Sequence, residues 1–268
     1  MTTTINHYIN GSISTEKSDR IGEVFNPANG EVTAHVAFAT PEILNKAVQV
    51  ATIAGKEWAQ TSLTKRVQTL FAFREILNAR KEEVAAVITV EHGKVLSDAL
   101  GEVTRGLEVV EFACGLPHLL KGGYSEGVSN GIDVYSIRQP LGVVGIISPF
   151  NFPAMVPMWF FPIAIAAGNA VIVKPSEKDP SASMLIAHMW KEAGLPDGVF
   201  NVVHGDKVVV DAMPVQAVIL QQHGRHHRYF LLGQLQGKAM LLTNLNLAPT
   251  PWPIKLGHHG RCVVHMRH

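Results

Sequence analysis

The sequence has 268 residues, enough for one large domain or two small ones, and its 47% hydrophobic content is ordinary for a soluble globular protein. A net charge of +1 gives no electrostatic reason to expect a nucleic acid or an acidic membrane surface as a partner. Two cysteines argue against a disulfide framework, and the first ten residues lack the basic and apolar regions of a signal peptide, so a cytoplasmic location is expected.

The first forty residues are predicted to form short strands joined by turns. Asn10-Gly11 and Asn29-Gly30 are residue pairs that favour tight turns between antiparallel strands. Thr40-Pro41 then supplies a capping hydroxyl and a proline at the first helical position. This predicts a helix that continues to Gln60.

Three further helices are predicted by apolar residues at helical spacing, over residues 63–78, 81–91 and 97–120. Their interspersed charges are interpreted as a solvated face. A loop is predicted over residues 122–131, and a short alternating strand over residues 132–137.

The centre of the chain predicts a strand, a helix and a second strand. Residues 142–147 and 170–173 are near-continuous apolar runs, as parallel strands show when both faces are covered. A helix is predicted between them over residues 154–167. Another helix over 181–193 and a strand over 199–203 complete an α/β fold with a parallel sheet and N-terminal helices.

No charged residue occurs between Gln139 and Val173, a feature that a membrane-spanning helix would share. Four prolines and the pair Gly168-Asn169 divide this run into pieces too short to span a bilayer. A buried α/β core explains the run better, and no membrane segment is expected.

Three motifs in order carry a family resemblance: SPFNFP at residues 148–153, GNAVIVKPSE at 168–177 and GLPDGVFNVV at 194–203. Together they resemble the aldehyde dehydrogenase superfamily, and the first two are most similar to its CoA-acylating methylmalonate-semialdehyde dehydrogenase branch. The resemblance covers about residues 5–218. It implies that residues 1–218 form part of a Rossmann-type NAD-binding domain and that the catalytic half of the family is absent.

The remaining residues, 219–268, are expected to form a tail of irregular structure outside the family. No Asp or Glu occurs after residue 211, whereas the preceding residues hold all 22. We hypothesise an out-of-frame reading or an insertion artefact. DNA sequence around codon 219 would test this, and an uninterrupted frame with no family-like continuation in either shifted frame would contradict it. The spacing of His223, His226 and His227 suggests metal binding, but no Cys or carboxylate accompanies them, so no metal site is predicted.

Aldehyde oxidation through a thioester needs a thiolate nucleophile, donors for the oxyanion and a hydride acceptor. Asn151 follows a predicted buried strand, and its amide could donate a hydrogen bond to a developing alkoxide. A turn-forming Asn before Phe-Pro is the alternative. The resemblance implies that Asn151 is the oxyanion donor.

Lys174 and Glu177 follow the second buried strand, where an ammonium and a carboxylate can bind the hydroxyls of a ribose. The alternative is a surface ion pair without function. The resemblance assigns both residues to the adenosine ribose of NAD, and it places Ser148, Phe150 and Lys178 along the same cofactor.

Arg105 matches an arginine of the semialdehyde branch and could bind a substrate carboxylate, although an arginine on a helix surface is an equal alternative. Cys114 has apolar neighbours at helical spacing, which indicates a core residue. Cys262 has basic neighbours but flanks that match nothing in the family. The catalytic cysteine is therefore predicted to be absent.

Two functions from different classes follow. The first is NAD-dependent oxidation of methylmalonate or malonate semialdehyde to an acyl-CoA, with CoA as co-substrate, by an enzyme whose present chain is inactive alone. The second is a non-enzymatic fragment, or a pseudogene product, that associates with full-length subunits. The family forms homo-oligomers through a strand near residues 132–138. Nucleic-acid binding by the acid-free tail is disfavoured because its basic residues are scattered.

Overall fold

The computed structural model describes residues 3–16, 18–213, 218–223, 228–235 and 238–243, the last three ranges by their backbone alone. The helices are α1 (Pro41–Gln60), α2 (Leu63–Ala79), α3 (Lys81–His92), α4 (Leu96–Cys114), α5 (Leu116–Leu119), α6 (Met155–Met158), α7 (Phe161–Ala166), α8 (Ser181–Glu192) and α9 (Lys207–Ala212). The strands are β1 (Thr3–Ile5), β2 (Tyr8–Ile9), β3 (Ser12–Ile13), β4 (Ile21–Phe25), β5 (Val32–Ala37), β6 (Tyr124–Ser129), β7 (Ile132–Tyr135), β8 (Val143–Ile147), β9 (Ala170–Lys174), β10 (Phe200–Val202), β11 (Val218–His223), β12 (Arg228–Leu235) and β13 (Lys238–Thr243).

The main sheet has the strand order β13-β12-β11-β8-β9-β10-β2-β3. Strands β11, β8, β9 and β10 are parallel to one another, and the outer strands pair antiparallel. This arrangement confirms the predicted α/β fold. Because Ile147 is paired with Lys174, β8 and β9 end at the same level. The polar segments that follow them therefore begin at one edge of the sheet.

Both faces of β9 are covered by helices, which is why its residues are all apolar until its last. Ala170 and Ile172 pack on one face in a cluster with residues of α1. Val171 and Val173 belong to the larger cluster on the other face, with residues of α2, α4 and α8. Burial within the sheet thus explains the charge-free run. In the described parts of the chain, no helix is both long and apolar enough to cross a membrane.

The predicted turns and the first helix start are confirmed. Asn10 and Gly11 have φ values of 55° and 72°, as a two-residue turn between β2 and β3 requires. The hydroxyl of Thr40 accepts a hydrogen bond from the N–H of Ile43 at 3.4 Å and caps α1.

Two predicted helices are each divided in the structure. The stretch over residues 97–120 ends as α4 at Cys114 and resumes as the short α5, because Pro117 removes a backbone donor just after the break. The stretch over residues 154–167 forms α6 and α7, since Pro157 and Pro162 interrupt the hydrogen bonds of a continuous helix.

The loop predicted over residues 122–131 is wrong for its central part. Residues 124–129 form β6, which pairs antiparallel with β7 through a turn in which Gly131 has a φ of 72°. Every residue of β6 is exposed, so the strand lacks the apolar alternation that sequence analysis detects.

The predicted irregular tail differs from the structure in the described residues 219–223, 228–235 and 238–243. Strand β11 continues the sheet by pairing parallel with β8, and β12 and β13 add antiparallel ladders. Backbone hydrogen bonding to the edge of β8 forms this extension, and the short apolar runs have no alternation that would predict it. The prediction for Cys262 lies outside the described residues.

Candidate functional site

Lys174 and Glu177 lie together after β9, as the sequence predicts. The ammonium Nζ of Lys174 donates to Glu177 Oε2 at 3.2 Å and to the carbonyl oxygen of Gly205 at 2.7 Å. The Lys174 side chain is 5% exposed, whereas that of Glu177 is 42% exposed. An ammonium has three N–H donors, so one remains for a ligand, and the exposed carboxylate can accept hydroxyl groups.

Ser148 joins this pair through the backbone. Its N–H donates to the carbonyl of Lys174 at 3.0 Å, which extends the ladder between β8 and β9 by one residue. Its hydroxyl is buried and has no hydrogen-bond partner among the described residues. Ser148 therefore presents a buried donor and acceptor beside Lys174.

Phe150 and Lys178 also meet. Lys178 Nζ lies 5.6 Å from the centre of the Phe150 ring, and the imidazole of His92 stacks on that ring with 4.5 Å between centroids. Phe150 remains 40% exposed. Burial lowers the pKa of His92, and the nearby Lys94 lowers it further. A neutral imidazole and an exposed phenyl ring thus form a flat surface beside a cation.

Asn151 is exposed at the start of the segment that leads into α6. Its carbonyl oxygen accepts a hydrogen bond from Lys94 Nζ at 2.7 Å. The ammonium of Lys94 also lies 4.2 Å from the centre of the Phe152 ring. The backbone of Asn151 is thereby held from the loop between α3 and α4, while its side chain stands at the surface.

Glu102 is the buried carboxylate of this region, with 0% exposure. Its Oε1 accepts the N–H groups of Ala154 at 2.9 Å and Met155 at 3.1 Å, and its Oε2 pairs with Lys94. One carboxylate therefore connects helix α4, the lysine and the start of α6. All three of its partners are hydrogen-bond donors.

Arg105 lies one turn beyond Glu102 on α4 and is exposed. Its Nε lies 3.3 Å from the sulfur of Met155. This places the guanidinium beside Met155, the first residue of α6, which follows Asn151 by four residues in sequence. The structure brings Arg105 to the same segment of chain as Asn151 and gives no contact between Arg105 and the Lys174–Glu177 pair.

Two further acidic residues, Glu91 and Asp179, lie near the start of α8. The carboxylate of Glu91 accepts hydrogen bonds from the N–H of Ser181 at 3.0 Å and from its hydroxyl at 2.5 Å. Asp179 is 1% exposed, and neither of its carboxylate oxygens has a hydrogen bond of normal geometry to the described residues. Burial raises the pKa of Asp179 to about 8, and the charges of Glu91 and Glu102 act in the same direction.

Two buried histidines, His7 and His204, lie next to the segment that holds Lys174. The rings of His7 and His204 stack with 5.7 Å between their centroids, and the backbone N–H of His204 donates to His7 Nδ1 at 3.1 Å. Burial lowers the pKa of His7 to about 4 and that of His204 to about 3. Both rings are neutral at neutral pH, and the residue after His204 supplies the carbonyl that accepts Lys174 Nζ.

Cys114 is 8% exposed at the end of α4, and burial raises the pKa of its thiol. A buried thiol with a raised pKa is a poor nucleophile, as its predicted core position implies. Cys262 lies outside the described residues, as do His226 and His227. Within the described part of the chain, no group of three or more His, Cys, Asp or Glu side chains could hold a metal ion.

Sequence analysis identified residues at the strand ends but not those that support them. Lys94 lies just after α3, and its contact with Asn151 has no signal in the sequence. Glu102 stands among other charged residues of a helix, and only the packing of α4 against α6 distinguishes it. Asp179 lies two residues after the motif of residues 168–177, but its burial depends on α3 and α8.

Comparison with known proteins gives a consistent family. A model of the aldehyde dehydrogenase family matches residues 13–219. The chain is 49% identical over 210 residues to a malonate-semialdehyde dehydrogenase of Pseudomonas aeruginosa, a match that covers 78% of this chain and 42% of that protein. It is 48% identical over 205 residues to a mitochondrial acylating methylmalonate-semialdehyde dehydrogenase of Arabidopsis thaliana, covering 76% of this chain and 34% of that one.

Solved structures agree with these relatives. A crystal structure described as a methylmalonate-semialdehyde dehydrogenase from Sinorhizobium meliloti, in complex with NAD, has a TM-score of 0.80 and 46% identity. It is matched over 82% of this chain and 45% of that one. The methylmalonate-semialdehyde dehydrogenase of Oceanimonas doudoroffii has a TM-score of 0.79 and 48% identity, with the same coverage. The chain thus spans less than half the length of the relatives named here.

Proposed function

The chain belongs to the aldehyde dehydrogenase family, and we propose that it carries the NAD-binding side of a dehydrogenase for malonate or methylmalonate semialdehyde. The observation that carries the proposal is the Lys174–Glu177 pair at the carboxyl end of β9, next to the end of β8. Ligands of open α/β sheets bind beyond the carboxyl ends of their strands.

The residues of this pair fit a ribose. The free N–H of Lys174 can donate to one hydroxyl oxygen, and the exposed carboxylate of Glu177 can accept from a hydroxyl group. Lys174 is held by Gly205, near the neutral His7–His204 pair, so its position does not depend on the ligand. A relative of this chain was crystallised with NAD. When bound, NAD would accept a hydride from the substrate.

The remaining predicted residues would serve the aldehyde. The side-chain amide of Asn151 would donate a hydrogen bond to the aldehyde oxygen as it becomes an alkoxide, and this bond would stabilise the developing negative charge. Arg105 would bind the carboxylate of a semialdehyde through its guanidinium. The names of the relatives include an acylating enzyme, so CoA is the proposed acceptor of the acyl group.

We expect this chain alone to bind NAD without oxidising an aldehyde. Cys114, the cysteine of the described residues, is buried and has a raised pKa, so it would not supply the thiolate that the reaction needs. Calorimetric titration with NAD, beside an assay with malonate semialdehyde and CoA, tests both statements. Turnover by the purified chain that Asn151→Ala abolishes would contradict the expected inactivity.

The titration includes two variants and one control. Lys174→Met and Glu177→Gln should each weaken NAD binding by about tenfold or more, because each removes a charged hydrogen-bonding group. Lys65→Met changes an exposed lysine of α2 and should bind like the wild type. Equal affinities for all four proteins would refute the assignment of the site, and melting temperatures would identify any variant that loses its fold.

A second candidate function rests on the exposed hairpin of β6 and β7. Tyr124 is 64% exposed and Val128 is 54% exposed, and Ile137, just after β7, is 57% exposed. Apolar groups on an exposed strand favour association with another protein. The partner in this proposal is a full-length dehydrogenase subunit. Co-purification that Val128→Glu prevents would support it, and co-purification that this variant leaves unchanged would count against the hairpin.

A further inference from the structure

The segment that carries Asn151 cannot fix its own conformation. It leads from β8 into α6, which has four residues, and no side chain of its N-cap residue, Ala154, satisfies the helix start. Pro149 and Pro153 remove two backbone donors from the same segment. The N–H groups at the start of a helix need partners from elsewhere.

Two residues from outside the segment hold it, one as an acceptor and one as a donor. Glu102 accepts the N–H groups of Ala154 and Met155, and its other oxygen pairs with Lys94. Lys94 in turn donates to the carbonyl of Asn151 at 2.7 Å. The side chains of Glu102 and Lys94 are 0% and 14% exposed, so water competes little for these bonds.

We propose that Lys94 and Glu102 are positioning residues that set the direction of the Asn151 amide. This inference rests on the proposed function, in which that amide donates to the substrate oxygen. A donor stabilises a developing charge only when it is already aimed at it. The bonds to Asn151, Ala154 and Met155 hold the backbone at Asn151 and at the start of α6. They therefore fix the position of the Asn151 backbone from which the amide side chain extends.

The same contacts connect the donor to the proposed carboxylate-binding group. Arg105 is three residues beyond Glu102 on α4, and its Nε lies beside the sulfur of Met155. Helix α4 therefore sets both the start of α6 and the position of the guanidinium.

The test is nuclear magnetic resonance of the isotopically labelled chain. The side-chain amide signals of Asn151 are identified by their loss in Asn151→Ala. Lys94→Met should shift these signals, whereas Lys94→Arg, which keeps a cation for both partners, should leave them close to the wild type. Lys65→Met is the matched control. Unchanged Asn151 signals in Lys94→Met, or shifts of the same size in Lys65→Met, would overturn the proposal.

Hydrogen exchange provides an independent measurement on Glu102. Glu102→Gln keeps the shape of the side chain and removes its charge, so the amides of Ala154 and Met155 should exchange about tenfold faster. Glu108→Gln, at an exposed position of the same helix, should not change them. A role limited to general stability would instead speed exchange throughout α4 and β9, and that result would overturn the proposal even if Lys94→Met failed to fold.

These outcomes are separate from the proposed function. Absence of NAD binding by the wild type would refute the dehydrogenase proposal while the Asn151 signals still report on positioning. Conversely, NAD binding with unshifted Asn151 signals in Lys94→Met would leave the cofactor site intact and refute the positioning role.

Discussion

Replacing Asp179 by asparagine should stabilise the protein, and the gain should increase with pH. The carboxyl group is 1% exposed and lies at the start of α8 near Glu91 and Glu102, with Lys94 as the opposing charge. Its pKa rises from 3.8 to about 8, chiefly because burial disfavours the charged form. Between these two values the folded protein keeps a proton that the unfolded chain releases.

The sign and size of the effect follow from this difference. Since the folded state binds the extra proton, the contribution of Asp179 to the free energy of unfolding falls as pH rises from about 4 to about 8, by about 1.4 kcal/mol for each pH unit. Asparagine has the same shape without the charge. Over these pH units the slope amounts to about 5 kcal/mol, so we expect Asp179→Asn to exceed the wild type by roughly 5 kcal/mol at pH 8 and by nearly nothing at pH 4.

Urea unfolding at several pH values between 4 and 9 measures the difference. Ser183→Ala is the matched control, because it removes a buried, unpartnered hydroxyl from the same helix without changing any charge. Its effect on the free energy of unfolding should be the same at every pH. Parallel pH profiles for the wild type and Asp179→Asn would refute the argument that a buried carboxyl controls this part of the profile.

Two more predictions concern the supports of the sheet. Gly168→Ala should lose about 1 kcal/mol more stability than Gly142→Ala, although both glycines have a positive φ. At Gly168 the new Cβ would lie 2.4 Å from the Arg66 guanidinium and disturb its hydrogen bond to a carbonyl of α7, whereas at Gly142 it would meet no atom within 4 Å. Denaturant unfolding measures this, and equal losses would contradict it. The contribution of His7 and His204 has the opposite sign to that of Asp179: it lowers the free energy of unfolding as pH falls from about 6.5 to about 4, because the unfolded chain binds protons that these buried rings do not. His7→Asn should reduce that loss by about 2–3 kcal/mol in acid titration, and an unchanged profile would contradict the assignment.

Most of the fold could be predicted from the sequence, because the strongest signals are local. The caps and apolar spacing predicted α1, α2, α3 and α8 within a few residues, and the apolar runs predicted β8 and β9. Proline positions were visible too, but their power to divide a helix within a buried segment depends on packing that replaces the lost bonds. The exposed strand β6 gave no signal, since the pleat of a solvated strand imposes no pattern of burial.

The candidate site could be predicted only in part, for a physical reason. Residues at strand ends, such as Lys174, Glu177 and Asn151, can be located because the change from an apolar run to polar residues marks the end of a strand in the sequence. Their supports, Glu102 among them, act across distances in sequence of about fifty residues. Whether such a charge is buried and partnered depends on how helices pack, and a single sequence contains no direct record of that.

The fold also explains why Lys174 keeps its orientation in a nearly dry position. Its ammonium donates to a carbonyl and a carboxylate oxygen within 3.2 Å, and these bonds replace hydrogen bonds to water. The two nearby histidines are neutral and add no repulsion at neutral pH. A lysine whose side chain is already held by hydrogen bonds loses little side-chain entropy when it binds a ligand.

The central claim is that Glu177, beside Lys174, recognises the hydroxyls of a ribose, and one binding comparison tests it most directly. Calorimetry would measure the affinities of NAD and of an analogue without the adenosine 2′-hydroxyl, for the wild type and for Glu177→Gln. We predict that the wild type prefers NAD by about tenfold and that Glu177→Gln loses most of this preference. An equal preference in both proteins, or none in the wild type, would contradict the account.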